Sequence, residues 1–128
     1  MKFLSKYADS SYALLRIVAG FLFSIHGMQK VLGLFTDEPT KDVFSQMWIG
    51  GVIELVGGAL VCVGFQTRVA AFVCSGTMAV AYAQFHWKFA FDERFLPVHN
   101  GGELAALYAF VFLYIACRGA VKWCVRRD

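Results

Sequence analysis

Apolar residues along this chain gather into four stretches, at about 12–35, 47–65, 69–87 and 100–118, joined by short polar connections. Each is close to the ~20 residues that a helix needs to cross ~30 Å of hydrocarbon. Short connections make antiparallel neighbours, so the pattern predicts an all-α fold: an integral membrane four-helix up-down bundle. Charged residues interrupt three of the stretches; only Val69 to Trp87 is free of Asp, Glu, Lys and Arg throughout. Lys2 and Lys6 ahead of the first stretch imitate a signal peptide. Arg16 breaks that apolar run, however, and no small-residue cleavage site precedes His26, so it reads as an uncleaved first helix.

Composition strengthens the membrane reading. The chain has 128 residues, 59% of them hydrophobic and only 16% charged. A soluble domain carries roughly 45–50% apolar and about 25% charged residues. No linker, repeat or low-complexity tract divides the chain, so residues 1–128 read as a single domain. With no basic stripe, and with its aromatic residues inside apolar runs, the chain offers nothing to nucleic acid; its expected partner is the lipid bilayer.

The distribution of charge predicts orientation. Lys2, Lys6, Arg68, Arg118, Lys122, Arg126 and Arg127 fall on one side, while Lys41, Lys88 and Arg94 fall on the other among five acids. Positive residues collect on the cytoplasmic side of membrane proteins. Both termini and the tight "GFQTR" turn are therefore expected in the cytoplasm of a bacterial inner membrane, with Trp48 and Trp87 at the outer interface and Trp123 at the inner one.

An ionisable side chain at membrane depth costs roughly 2.5–3.5 kcal/mol, so it needs a partner or a wet cavity. At ~1.5 Å of rise per residue, His26 and Lys30 lie roughly 13 and 7 Å below the outer end of the first helix. Their separation of four residues puts them on one face. Glu54 lies about 9 Å below Trp48, Gln84 and His86 near the outer end of the third helix, Asn100 at the rim, and Glu103 roughly 6 Å inside the fourth. Each helix thus sends polar groups to a similar outer level. Buried polar residues also serve as glue between helices at ~0.6 kcal/mol apiece, and Gln29 and His99 fit that role. Seven side chains from four helices predict a site. One lysine against two glutamates leaves an excess negative charge, which calls for a proton shared with His26, His86 or one carboxyl. Arg16 lies deep on the cytoplasmic side with no acid at its depth. Snorkelling or capping a helix end suits it, and anchoring an anionic headgroup or ligand is its functional reading.

Cys62, Cys74, Cys117 and Cys124 map to the cytoplasmic half or tail and include no C-x-x-C, so they read as small apolar residues in a reducing compartment. The His and Glu side chains would suit iron, zinc or manganese, but no E-x-x-H pair is present and Lys30 would repel a cation; no metal is expected. Nucleophile elbow, P-loop, dinucleotide fingerprint and haem-attachment motif are all missing.

The blocks "LLRIVAGFLFSIHGMQK", "GGVIELVGGALVCVGFQTRVAA" and "NGGELAALYAFVFLYIA" resemble the signatures of the DoxX family of four-helix bacterial membrane proteins, in order and spacing, from about Leu14 to Ala116. The residues that carry the likeness are Arg16, His26, Gly27 and Lys30; Glu54, Gly57, Gly58, Gly64, Thr67 and Arg68; and Asn100, Gly101, Gly102 and Glu103. "MAVAYAQFH", ending at His86, is similar to the family's third helix, whereas the tail "KWCVRRD" departs from the pattern. The resemblance implies an oxidoreductase association: relatives include a subunit of an archaeal thiosulfate:quinone oxidoreductase and proteins of thiol stress and quinone detoxification. Eukaryotic relatives act in receptor assembly. The expected function is then a redox-system subunit holding a quinone or similar small ligand. His26 and Lys30 would bind its oxygen, Glu54 and Glu103 would exchange protons, and Gln84, His86 and Asn100 would shape the entrance. Electrons would come from a partner redox protein. A small-solute or proton transporter, and a non-enzymatic membrane assembly partner, remain alternatives, and the oligomeric state is open.

Overall fold

The computed structural model describes residues 2–126; Arg127, counted above among the cytoplasmic charges, lies outside them. Among the described residues there is helix and no strand. A short α1 (Lys2–Ser5) precedes α2 (Ala8–Leu32), α3 (Gln46–Val63) and α4 (Thr67–Ala81). The last continues directly into a π-helical segment, Tyr82–Trp87, and a 3-10 turn and the short α5 (Pro97–Asn100) then lead to α6 (Glu103–Arg118). Three helices, Ala8–Leu32, Gln46–Val63 and Thr67–Trp87, are long and apolar enough to cross a membrane. The last long helix has 16 residues and begins three residues later than expected, because Gly101 adopts a left-handed conformation (φ 72°) and breaks the run at "NGG".

The other boundaries have local causes. The first long helix stops at Leu32 rather than 35 because Gly33, at φ 66°, turns back and donates its N–H to the Met28 carbonyl. Ser45 starts α3 by accepting a hydrogen bond from the Trp48 N–H, and Gly64 ends it; such caps satisfy the orphan groups of helix ends.

Small residues decide how α2 and α3 meet. A Cβ on Gly20 would lie 2.6 Å from the Gly58 carbonyl and the Cys62 nitrogen, and one on Gly27 would lie 2.6 Å from the Gly51 carbonyl. The backbones themselves are therefore in contact, as small residues allow in membranes, where packing rather than water exclusion drives association. Farther round α3, Gly57 faces the Cys74 sulfur of α4. Helix α4 in turn lies along α6, where Ser75 donates to the Ala109 carbonyl at 2.7 Å. Phe23, Val61, Ala71, Cys74, Phe112 and Ile115 close the core. The outward faces carry Phe21, Phe72, Leu107 and Phe110, all more than half exposed, the inversion expected where the solvent is lipid.

The helix ends opposite the "NGG" break are tied by charge and carbonyls. Arg16 is fully buried and donates to four carbonyls: Val61 at 2.5 Å, Cys62 at 2.8 Å, Lys122 at 3.0 Å and Trp123 at 2.6 Å. It thus caps the end of α3 and clamps the tail there, which Val125 and Arg126 extend with backbone bonds to Val63 and Gly64. Tyr12 donates to the Gly119 carbonyl at 2.6 Å, Arg68 bonds the carbonyls of Ala116 and Cys117, and Arg118 pairs with Asp9. All four cysteines are free thiols.

Candidate functional site

A cavity of about 680 Å³ lies between the helices, lined by parts of α2, α3, α4, the π segment and α6. Its walls are mostly apolar: Phe23, Met47, Ile53, Met78, Phe85 and Tyr108 are among them. Four polar side chains singled out by depth also line it, namely His26, Lys30, Glu54 and His86. This is the volume and make-up of a small-molecule site, apolar with a few convergent polar groups.

The α-helical spacing of His26 and Lys30 puts both on the cavity side of α2, and Lys30 reaches α3. There the Lys30 ammonium donates to Glu54 Oε1 at 2.6 Å. The pair is asymmetric: the glutamate side chain is 3% exposed and the lysine 26%. The second carboxylate oxygen, Oε2, is buried and has no hydrogen-bond partner. Buried polar atoms are paired in the great majority of cases, and each exception asks for a cause. An acceptor left over beside this cavity is a place for a proton.

The histidines are held differently. His26 meets the ring of Tyr108 edge-on, with centroids 6.5 Å apart, and no hydrogen bond within the described chain takes up its nitrogens. His86 has Nδ1 3.4 Å from the Asn100 carbonyl and stacks on Tyr82. A carbonyl can only accept, so Nδ1 is the donor in this contact, and no hydrogen bond within the described chain takes up Nε2. The π segment carries both Phe85 and His86, which line the cavity, and π turns inside helices recur at functional sites.

The remaining predicted residues stand elsewhere. Glu103 is exposed on the first turn of α6 and does not line the cavity. Depth along a helix places it at the right level, but not its side chain's direction. Without it, one lysine faces one glutamate, and the excess negative charge that called for a shared proton is absent. Gln84 is exposed and accepts a hydrogen bond from Gln46, a cavity-lining residue, so it bridges α3 and the π segment at the cavity's polar end. Asn100 is a joint: its amide donates to the Tyr82 hydroxyl at 3.1 Å and the Arg94 carbonyl at 2.9 Å, and its oxygen accepts from the Gly102 N–H at 2.8 Å. In the loop that supplies this carbonyl, Asp92 is held below the usual carboxylate range by the hydrogen bonds of Arg94. Arg16 is at the far end, taken up by carbonyls.

Sequence reasoning missed Tyr108, Gln46 and the apolar residues Phe85 and Met47. Tyr108 follows Leu104 and Ala105 at helical spacing on the cavity side of α6, a signal present in the chain but indistinguishable there from core packing. Among the described residues no three His, Cys, Asp or Glu side chains come close enough to share a metal ion.

Fold and cavity together define an all-helical membrane protein with an apolar pocket and a buried ion pair. The chain belongs to the DoxX family, whose model matches residues 11–87, a span that holds His26, Lys30, Glu54 and His86 and ends before Asn100 and Glu103. It is 40% identical over 123 residues to an uncharacterized protein of Haemophilus influenzae, covering 94% of this chain and 91% of that one. It is also 29% identical over 127 residues to a Bacillus subtilis protein named "Putative oxidoreductase CatD", covering 85% and 92%. No solved structure matches at a comparable level.

Proposed function

We propose that this protein is the membrane-embedded subunit of a redox system and binds a quinone or a similar flat, small ligand in the cavity between its helices. One observation carries the reading: an apolar space of about 680 Å³ lined by His26, Lys30, His86 and Glu54, whose buried carboxylate keeps one oxygen without a partner. The name of the Bacillus subtilis relative supports a redox role. In this reading the four long helices form an up-down bundle in a bacterial inner membrane, with both termini cytoplasmic and the cavity in the outer half.

A bound quinone supplies two-electron, two-proton chemistry; the electrons come from a partner redox protein. The chain's own residues do the rest. Apolar walls exclude water and hold the ring. Lys30, anchored by Glu54 Oε1, directs an ammonium N–H toward a carbonyl oxygen. His86 accepts from a hydroxyl, and Glu54 and His26 exchange its proton.

The test is binding and turnover in reconstituted liposomes. A ubiquinone analogue should bind the wild-type protein, and His26→Ala should abolish quinone-dependent redox activity in membranes while helical content is kept. If the purified, lipid-reconstituted protein binds no quinone, the reading fails.

A further inference from the structure

We infer that the cavity's ligand enters and leaves sideways, from the bilayer, through a cleft between α3 and α4 whose threshold is formed by Gly50 and Gly76. This rests on the quinone-type reading of the same cavity and adds the route, and with it a requirement that the ligand partition into lipid.

The cleft follows from how the two helices diverge. At Gly57 a Cβ would touch the Cys74 sulfur at 2.5 Å, so α3 and α4 are in close contact there. Seven residues earlier, about 10 Å along the helix axis, Gly50 has nothing within 4 Å of the place a Cβ would occupy. On α4, Gly76 likewise has nothing within 4 Å. Both of these glycines line the cavity. Every close-packed glycine of α3 is small because a backbone or side chain presses on it; these two are small beside open space.

What flanks the cleft is lipid-facing. Ile49 and Val80 line the cavity and are also 47% and 50% exposed, so one apolar surface runs from the outside of the molecule to the inside of the pocket. The polar end differs: there the Gln46 amide is bonded to Gln84 across the mouth. A separate observation supports a ligand in this space. The wall behind it carries Glu54 Oε2, on a residue only 2% exposed, with no partner in the chain.

The experiment compares rates. Wild-type protein, Gly50→Leu, Gly76→Leu and Gln84→Ala, which breaks the Gln46–Gln84 bond from outside the cavity, are reconstituted in liposomes, and a ubiquinone analogue with a decyl tail is mixed in while tryptophan quenching is followed. Open space around both glycines lets the leucines fold, which circular dichroism checks. Each leucine should slow association and dissociation together, by at least about tenfold, whereas Gln84→Ala should leave both within about twofold. Unchanged rates in both leucine variants with intact wild-type binding overturn the lateral route alone, as does a rate change confined to Gln84→Ala. Absence of binding by the wild type overturns the functional reading and the route with it.

Discussion

Glu54 makes two different commitments with its two oxygens, and that division gives the residue its meaning. Oε1 holds Lys30 at 2.6 Å, and Oε2 is buried without a partner. Glu54→Gln keeps the shape, removes the ion pair's negative member and turns one acceptor into a donor. Lys30 then loses the charge that anchors its ammonium at the cavity, so this variant should weaken quinone binding by at least about tenfold, read by titration in liposomes. Glu103, also a glutamate and expected at a similar depth, is exposed and outside the cavity. Glu103→Gln should leave that affinity within about twofold, because a screened surface charge contributes little. Equal losses in the two variants would contradict the geometry.

At the scale of elements, the pairing of α2 with α3 positions the ion pair, since Lys30 and Glu54 sit on opposite sides of that contact. Glycines set the distance. Gly27 is within one turn of both His26 and Lys30, and its Cβ would fall 2.6 Å from the Gly51 carbonyl. Gly27→Leu must push the two helices apart; overpacking costs typically 1–3 kcal/mol, with backbone contact at the upper end. Thermal unfolding in detergent should show a lower midpoint, and ligand affinity should fall with it. The π segment at the end of α4 is the second element that matters, because it brings His86 to the wall. Its wider turn is invisible in the residues 82–87 themselves, which continue the apolar helical pattern without a break.

Across the whole molecule, the two ends are built for different work. The end with the cavity carries the ion pair, the histidines and the loops. The other end is a hub in which one fully buried arginine holds the close of α3 and the tail by four carbonyls. Hydrogen bonds to a charged group contribute about 1.5–3 kcal/mol each and are not additive. Arg16→Met should therefore lower stability by about 2–4 kcal/mol in reversible denaturation and free the tail to proteolysis, yet quinone affinity per folded molecule should stay within about twofold because the cavity is remote.

Much of this organisation is determined by the sequence by itself. Apolar stretches of near-spanning length dictate helices in lipid, because no other local structure satisfies its own backbone there. Helical spacing puts His26 and Lys30 on one face, and the cost of buried charge demands that Lys30 and Glu54 find something to pair with. Tertiary structure decided what periodicity cannot encode: which direction a side chain takes about its helix axis, and where helices touch or part. Depth brings Glu103 level with Glu54, but rotation of α6 sends it outward while presenting Tyr108 to the cavity. Arg16 has no acid at its depth and finds carbonyls instead, supplied by the end of α3 and by a tail more than a hundred residues away. The glycines of α3 look alike in the chain; only the packing separates Gly57, pressed against Cys74, from Gly50, which faces open space.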